Sequence, residues 1–212
     1  MKMIKTPSIS TRFFFENAFN KADFSDSRTD ILLKISEKIA QELSLNKTVN
    51  LNFICTHNSR RSQLGQVWSF FAAQYFNLNI NSFSGGTEIT SFYRNTVKTL
   101  QKAGFSFQLE DFSHQNPKYR ISFSDSKKSL LGFSKLFSNA INQEPYIVIT
   151  TCDSADQNCP FIPSAKYRFH LPFVDPKYSD GSPEQEEVYL KTNKQVASEI
   201  YFIFSKVKEL LS

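Results

Sequence analysis

From Val49 the chain reads VNLNFIC, then THNSRRS, then places Leu64, Val67, Trp68, Phe71, Ala72 and Tyr75 on one helical face. An apolar run rich in strand formers gives way, across a short polar stretch, to a period near 3.6 residues. That switch predicts a strand from Val49 to Ile54 ending at Cys55, a tight loop, and an amphipathic helix. A strand feeding straight into a helix crosses over, right-handed, to a parallel neighbour. No other feature limits the fold so strongly.

The alternation continues. Asn79 to Ser84 reads as a strand meeting Gly85-Gly86, and Thr96 to Ala103 as a helix with Gly104 at its C-cap. YIVITT (Tyr146 to Thr151) is a buried strand, and Tyr167 to Phe173 another candidate. Ser182-Pro183 opens a long helix towards Leu211, with a capping-box pattern to Gln185. Strands alternating with helices give an α/β fold with a parallel sheet. Upstream, Ile31, Leu32, Ile35, Ile39 and Leu43 share a helical face, with Asp26 or Ser27 as cap, whereas residues 1 to 25 show no clear period and read as an arm or a poorly ordered segment.

One segment breaks the pattern. PKYRISFSDSKKSLLGFSKLF, residues 117 to 137, alternates Tyr119, Ile121 and Phe123 and turns at Asp125 to Lys128, which predicts an inserted β-hairpin. Its apolar stripe needs a cover, either the N-terminal helix or a partner, and the intramolecular cover is expected. Removing the hairpin is expected to leave turnover of a small substrate largely intact. The resulting division is an N-terminal helical extension over 1–48 and a catalytic domain over 49–212, with the insertion at about 111–143.

Hydrophobic residues make up 40% of the 212, with 22 Phe, so the chain has the means to build a core and is not a disordered one. No apolar run approaches the ~20 residues that span a bilayer, which argues against a membrane protein. The N-terminus lacks a small-residue cleavage site, so the cytoplasm is the expected compartment. The net charge of +5 is scattered, with Arg60-Arg61 and Lys127-Lys128 as adjacent pairs, and no basic stripe points to nucleic acid. Three cysteines in such a chain argue against a static disulfide framework.

The polar stretch after Cys55 has the makings of an anion cradle. Main-chain N–H groups around the turn, from Thr56, His57, Asn58, Ser59 and Arg60, join those at the helix N-terminus to face an oxyanion. The same field favours the thiolate of Cys55 as a nucleophile. Arg61 supplies a planar fork for a tetrahedral oxyanion, and Ser62 a hydroxyl proton for the thiolate.

FICTHNSRRSQ resembles the phosphate-binding loop of the low-molecular-weight protein tyrosine phosphatase superfamily, above all the CTGNSCRS form of thioredoxin-coupled arsenate reductases. The resemblance runs on through SFSGGTEITSFYRNTVKTLQKAGF (82–105), TCDSADQNCP (151–160) and VDP (174–176). It implies a central four-stranded parallel sheet with helices on both faces, a tetrahedral oxyanion substrate and no cofactor. His57 and Arg60 stand where the family usually has Gly and Cys; His57 either touches the anion or fills space. Gln66 occupies a position that is often acidic in potassium-binding reductases, and no metal is expected.

Carried over, Cys55 attacks arsenate, Cys152 attacks Cys55 to release arsenite, and Cys159 attacks Cys152 to leave a disulfide for thioredoxin. The plain alternatives are a packed Cys152 and an incidental Cys159, or a metal site, for which His114 and His170 lack ligand spacing. Asp175-Pro176 is either a turn or the general acid that protonates the leaving oxygen. A phosphatase acting through a phosphocysteine is the second activity that the resemblance allows, with Tyr178 flanking an aryl substrate. A non-catalytic anion-binding module is the third.

Overall fold

The computed structural model describes residues 10–124, 126–158 and 161–212; Asp125 of the hairpin turn and Cys159 lie outside the described residues. In chain order the elements are α1 (Thr11–Asn20), α2 (Asp26–Asn46), β1 (Val49–Cys55), α3 (Arg61–Tyr75), β2 (Ile80–Gly86) and α4 (Arg94–Lys102). There follow β3 (Ser106–Asp111), β4 (Lys118–Ser122), β5 (Leu130–Gly132), β6 (Tyr146–Thr150), α5 (Asp153–Asn158), β7 (Ala165–His170) and α6 (Gln185–Leu210).

The main sheet has the expected four strands, in the order β2-β1-β6-β7, and every pairing is parallel. Strand alternation divides its side chains between two clusters. Val49, Leu51, Phe53, Ile147 and Ile149 enter the large core, together with α1, α2, α3 and α6. Ile54, Tyr146 and Val148 point the other way, where Ala155 of α5 covers them. Register sets Cys55 opposite Gly86 and Ile54 opposite Thr150, so the carboxyl ends of β1, β2 and β6 share one rim. Chain connections leave β1 towards β2 and later return to its other side at β6, and open α/β sheets bind ligands at such a switch point.

Three differences from the sequence reading have local causes. α1 was not expected. Its buried set, Thr11, Phe14, Phe15 and Ala18, has helical spacing, but the run of three Phe hides it. Ser10 caps it, and Phe15 stacks on Trp68 at 5.4 Å. Ser25, one residue ahead of the expected caps, starts α2 by accepting from the Arg28 N–H. α6 begins at Gln185 rather than Ser182, because the Gln185 side-chain Oε1 accepts from the Gly181 N–H instead of closing a box on Ser182.

The inserted hairpin is present as β4 and β5, and β3 joins it to make a three-stranded antiparallel sheet. β3 is mostly exposed, so no apolar alternation marked it. The stripe is covered from within the chain, but by α3 and the segments flanking α4. Phe123 packs edge-on against Phe71 at 4.8 Å, Ile121 is fully buried, and Tyr119 meets Phe92 and Phe107. After β5 the chain returns along the free edge of β2, where Gly86 N–H donates to Lys135 O and Phe137 N–H to Gly86 O. Gly85 permits that approach: a Cβ there would lie 2.2 Å from Phe137 Cα. Among the described residues, no helix is long and apolar enough to cross a membrane.

Candidate active site

Cys55 ends β1 and is 3% exposed. Its Sγ lies 3.1 Å from Ser62 Oγ, at the start of α3. Asn58 Nδ2 donates to that same Ser62 oxygen at 2.9 Å, which leaves the hydroxyl proton free to point at the sulfur. The hydroxyl is thus able to donate to the sulfur. Asn58 itself sits at φ 46°, a left-handed position that Asn tolerates, and is fully buried.

Between β1 and α3 the loop bends tightly against Gly86, whose missing side chain is essential. A Cβ there would come within 2.6 Å of Thr56 O and 2.8 Å of Asn58 N. Among the described residues, no hydrogen bond uses the main-chain N–H groups of His57, Asn58, Ser59 or Arg60. Four consecutive free donors at the mouth of a helix form a concave positive patch suited to an oxyanion.

The two arginines do different work. Arg61 Nη2 donates to Asp175 Oδ2 at 2.6 Å and Nη1 to the Phe173 carbonyl at 3.1 Å, while its buried Nε has no partner. Arg60 turns away from the loop, donating to Asp180 Oδ2 at 2.6 Å and to the Tyr189 hydroxyl at 2.7 Å, with its guanidinium 3.9 Å from the Tyr93 ring centre. Tyr189 in turn donates to Asp180 Oδ1 at 2.7 Å. Burial pushes the Tyr189 phenol above its usual range; Arg60 opposes this, and Asp180 adds to it. Asp175 and Asp180 flank a short 3-10 helix, Pro176–Ser179, so adjacent arginines hold both ends of the segment that carries the expected acid. The Asp175 carboxylate also accepts from the Lys177 N–H at 3.0 Å.

Cys152 follows β6 and is buried in the same small cluster as Cys55. Its Sγ lies 3.6 Å from Thr56 Oγ1, in the loop itself. Both cysteines are free thiols. α5, which leads away from Cys152, is tied to β7 by Arg168 on Asp156 at 2.7 Å and by His170 on Asp153 at 2.9 Å. His57 pairs with Glu88 at 3.2 Å, which fits the space-filling role better than contact with an anion.

Sequence reasoning missed the back of the loop. Gln63 Nε2 donates to Phe133 O at 2.8 Å and Asn58 O at 3.1 Å, Ser134 Oγ to His57 O at 2.9 Å, and Lys135 N–H to Asn58 Oδ1 at 2.9 Å. The insertion's return segment is thus a wall of the site. Asp180 was the one missed partner with a visible signal: it closes DPKYSD, five residues after the expected acid.

No protein-family model matches the chain. It is 27% identical over 157 residues to an arsenate reductase of Halalkalibacterium halodurans, covering 74% of this chain and 94% of that one. An arsenate reductase of Bacillus subtilis is 27% identical over 139 residues, covering 66% and 82% of the two chains. Among solved structures, a low-molecular-weight protein tyrosine phosphatase from T. tengcongensis superposes with a TM-score of 0.53 at 18% identity, over 75% of this chain and 99% of that chain. The chain thus has the fold of the low-molecular-weight protein tyrosine phosphatases and resembles the arsenate reductases in sequence, as the loop motif had implied.

Proposed function

We propose that this protein reduces arsenate to arsenite, with Cys55 as nucleophile and Cys152 and Cys159 as the exchanging pair. The observation that carries it is the second buried free thiol, Cys152, beside Thr56 of the anion loop. A phosphatase has no need of that thiol, whereas a reductase that works through disulfides within its own chain does. The sequence likeness to arsenate reductases supports the same reading.

The Cys55 thiolate attacks arsenate, forming an S–As bond, and an arsenate oxygen leaves as water or hydroxide. Once the anion draws Arg61 from it, Asp175 takes up a proton from solvent and gives it to that oxygen. The free N–H groups of the loop and the unpartnered Arg61 Nε are the donors that the oxyanion takes up. Cys152 then attacks Cys55 Sγ; the S–As electron pair departs with arsenic, giving arsenite and a Cys55–Cys152 disulfide. Cys159 attacks Cys152, freeing Cys55, and a dithiol protein such as thioredoxin reduces the Cys152–Cys159 disulfide. A cytoplasmic setting suits this chemistry, because that compartment keeps thiols reduced.

Phosphate-ester hydrolysis through a phosphocysteine at Cys55 is the second reading. Tyr178, 71% exposed and three residues after Asp175, favours it as a platform for an aryl group. Wild type and Cys152→Ser, assayed for arsenate-dependent reductant consumption and for aryl phosphate hydrolysis, separate the two. Reduction lost with hydrolysis kept supports the reductase; hydrolysis without reduction in either protein refutes it.

A further inference from the structure

Lys135 has no part in the chemistry above, yet it is 1% exposed. Its Nζ donates to Ser84 Oγ at 3.3 Å and lies 5.0 Å from the Phe133 ring centre, both neutral partners. Taking an ammonium out of water costs several kcal/mol, and such a group is retained only where something repays the cost. Burial alone pulls its pKa down to about 7.

Its surroundings tie it to the loop on two sides. Through its main chain it donates to Asn58 Oδ1, Asn58 donates to Ser62, and Ser62 reaches Cys55 Sγ. Through its side chain it donates to Ser84, whose hydroxyl donates to Gln66 Oε1 at 2.5 Å, on the second turn of α3. The ionisable groups on the elements around it are Cys55, His57 with its partner Glu88, Arg61, and Lys118, which lies 5.7 Å from the same Phe133 ring. No carboxylate among the described residues pairs with the ammonium.

We propose that Lys135 is a positioning residue of the oxyanion site, a built-in cation behind the loop whose counter-charge is the Cys55 thiolate and the bound anion. It rests on the reading of the loop as an oxyanion site. In the low dielectric behind the loop, its charge favours negative charge in front, while its main chain holds Asn58 in the conformation that serves Ser62.

Linkage makes this testable in the wild-type protein. If the charged lysine favours the anion, the anion must favour the charged lysine by the same factor. Titrating ¹⁵N-lysine-labelled protein with and without inorganic phosphate should raise the Lys135 ammonium pKa by about one unit, matching a roughly tenfold gain in phosphate affinity on protonation. An unmoved Lys135, in protein whose His57 to Arg60 amide signals do shift with phosphate, overturns the proposal alone. Amides that never respond to phosphate remove the anion site itself, and the proposal with it. Lys135→Met should raise KM or the phosphate inhibition constant about tenfold, with a smaller effect on kcat, and should flatten the pH dependence of inhibition near neutrality. A merely structural lysine would lower the melting temperature and leave both unchanged; if the variant does not fold, the wild-type titration decides.

Discussion

Two adjacent arginines at the N-terminus of α3 show how little a residue type says about its duty. Arg61 keeps its fork on Asp175 and has a donor to spare, whereas Arg60 is committed to Asp180 and Tyr189. Asp180→Asn leaves the Arg60 guanidinium largely buried without its carboxylate, and breaking such a pair typically costs about 3–5 kcal/mol when fully buried. With Asp180 still about a fifth exposed, a smaller loss of roughly 1–3 kcal/mol is expected. Because Asp180 anchors the far end of the segment bearing Asp175, kcat should fall about tenfold or more while the fold survives. Thermal melting beside steady-state kinetics checks this; an unchanged kcat would reduce the Arg60 cluster to surface bracing. Cys55, Arg61 and Ser62 were legible in the sequence as a loop read from a strand end, and Asp175 only through the resemblance that this loop carries. Tyr189 and Lys135 were not, because they reach the site through tertiary packing rather than along the chain, and Asp180 left only the trace of closing DPKYSD.

At the scale of elements, the inserted sheet and α5 each carry a consequence. The sequence alone suggested that the hairpin could be removed without harm to a small substrate. Ser134, Lys135 and the Phe133 carbonyl hold the back of the loop, so deleting 117–137 should instead abolish turnover in protein that retains its helical circular dichroism. Turnover near the wild-type level would show that the loop stands alone. The main strands were readable from their apolar runs, and β3 was not, since most of its side chains stay in solvent. For α5, burial works against the Asp156 carboxylate, but hydrogen bonds from Arg168 and Thr150 and the charges of Arg168 and His170 outweigh it and hold its pKa below the ordinary value. A depressed carboxylate contributes stability above its unfolded pKa, near 4, and loses it as pH falls through the folded value. Hydrogen exchange in α5 should therefore accelerate below about pH 4 ahead of the large core, and uniform acceleration would contradict a separate latch.

For the whole molecule, the sheet order brings the ends of β1 and β6 side by side, and with them the loop after Cys55 and the thiol of Cys152. α1, α2 and α6 pack their aromatic and aliphatic faces into the same large core, away from the small cluster that holds Cys55 and Cys152. The proposed succession of disulfides would require the α5 segment, which covers the other face and is held by Arg168 and His170, to move. The parallel fold could be read from strand-loop-helix alternation; the wall built by the insertion could not, because nothing in its sequence says which edge it lies along. A single turnover without added reductant tests the chemistry most directly. Fully reduced protein mixed with excess arsenate should yield one arsenite per chain and lose two thiols, leaving Cys152 and Cys159 joined and Cys55 free to alkylation. No arsenite and no thiol lost, from protein that hydrolyses an aryl phosphate, would contradict it.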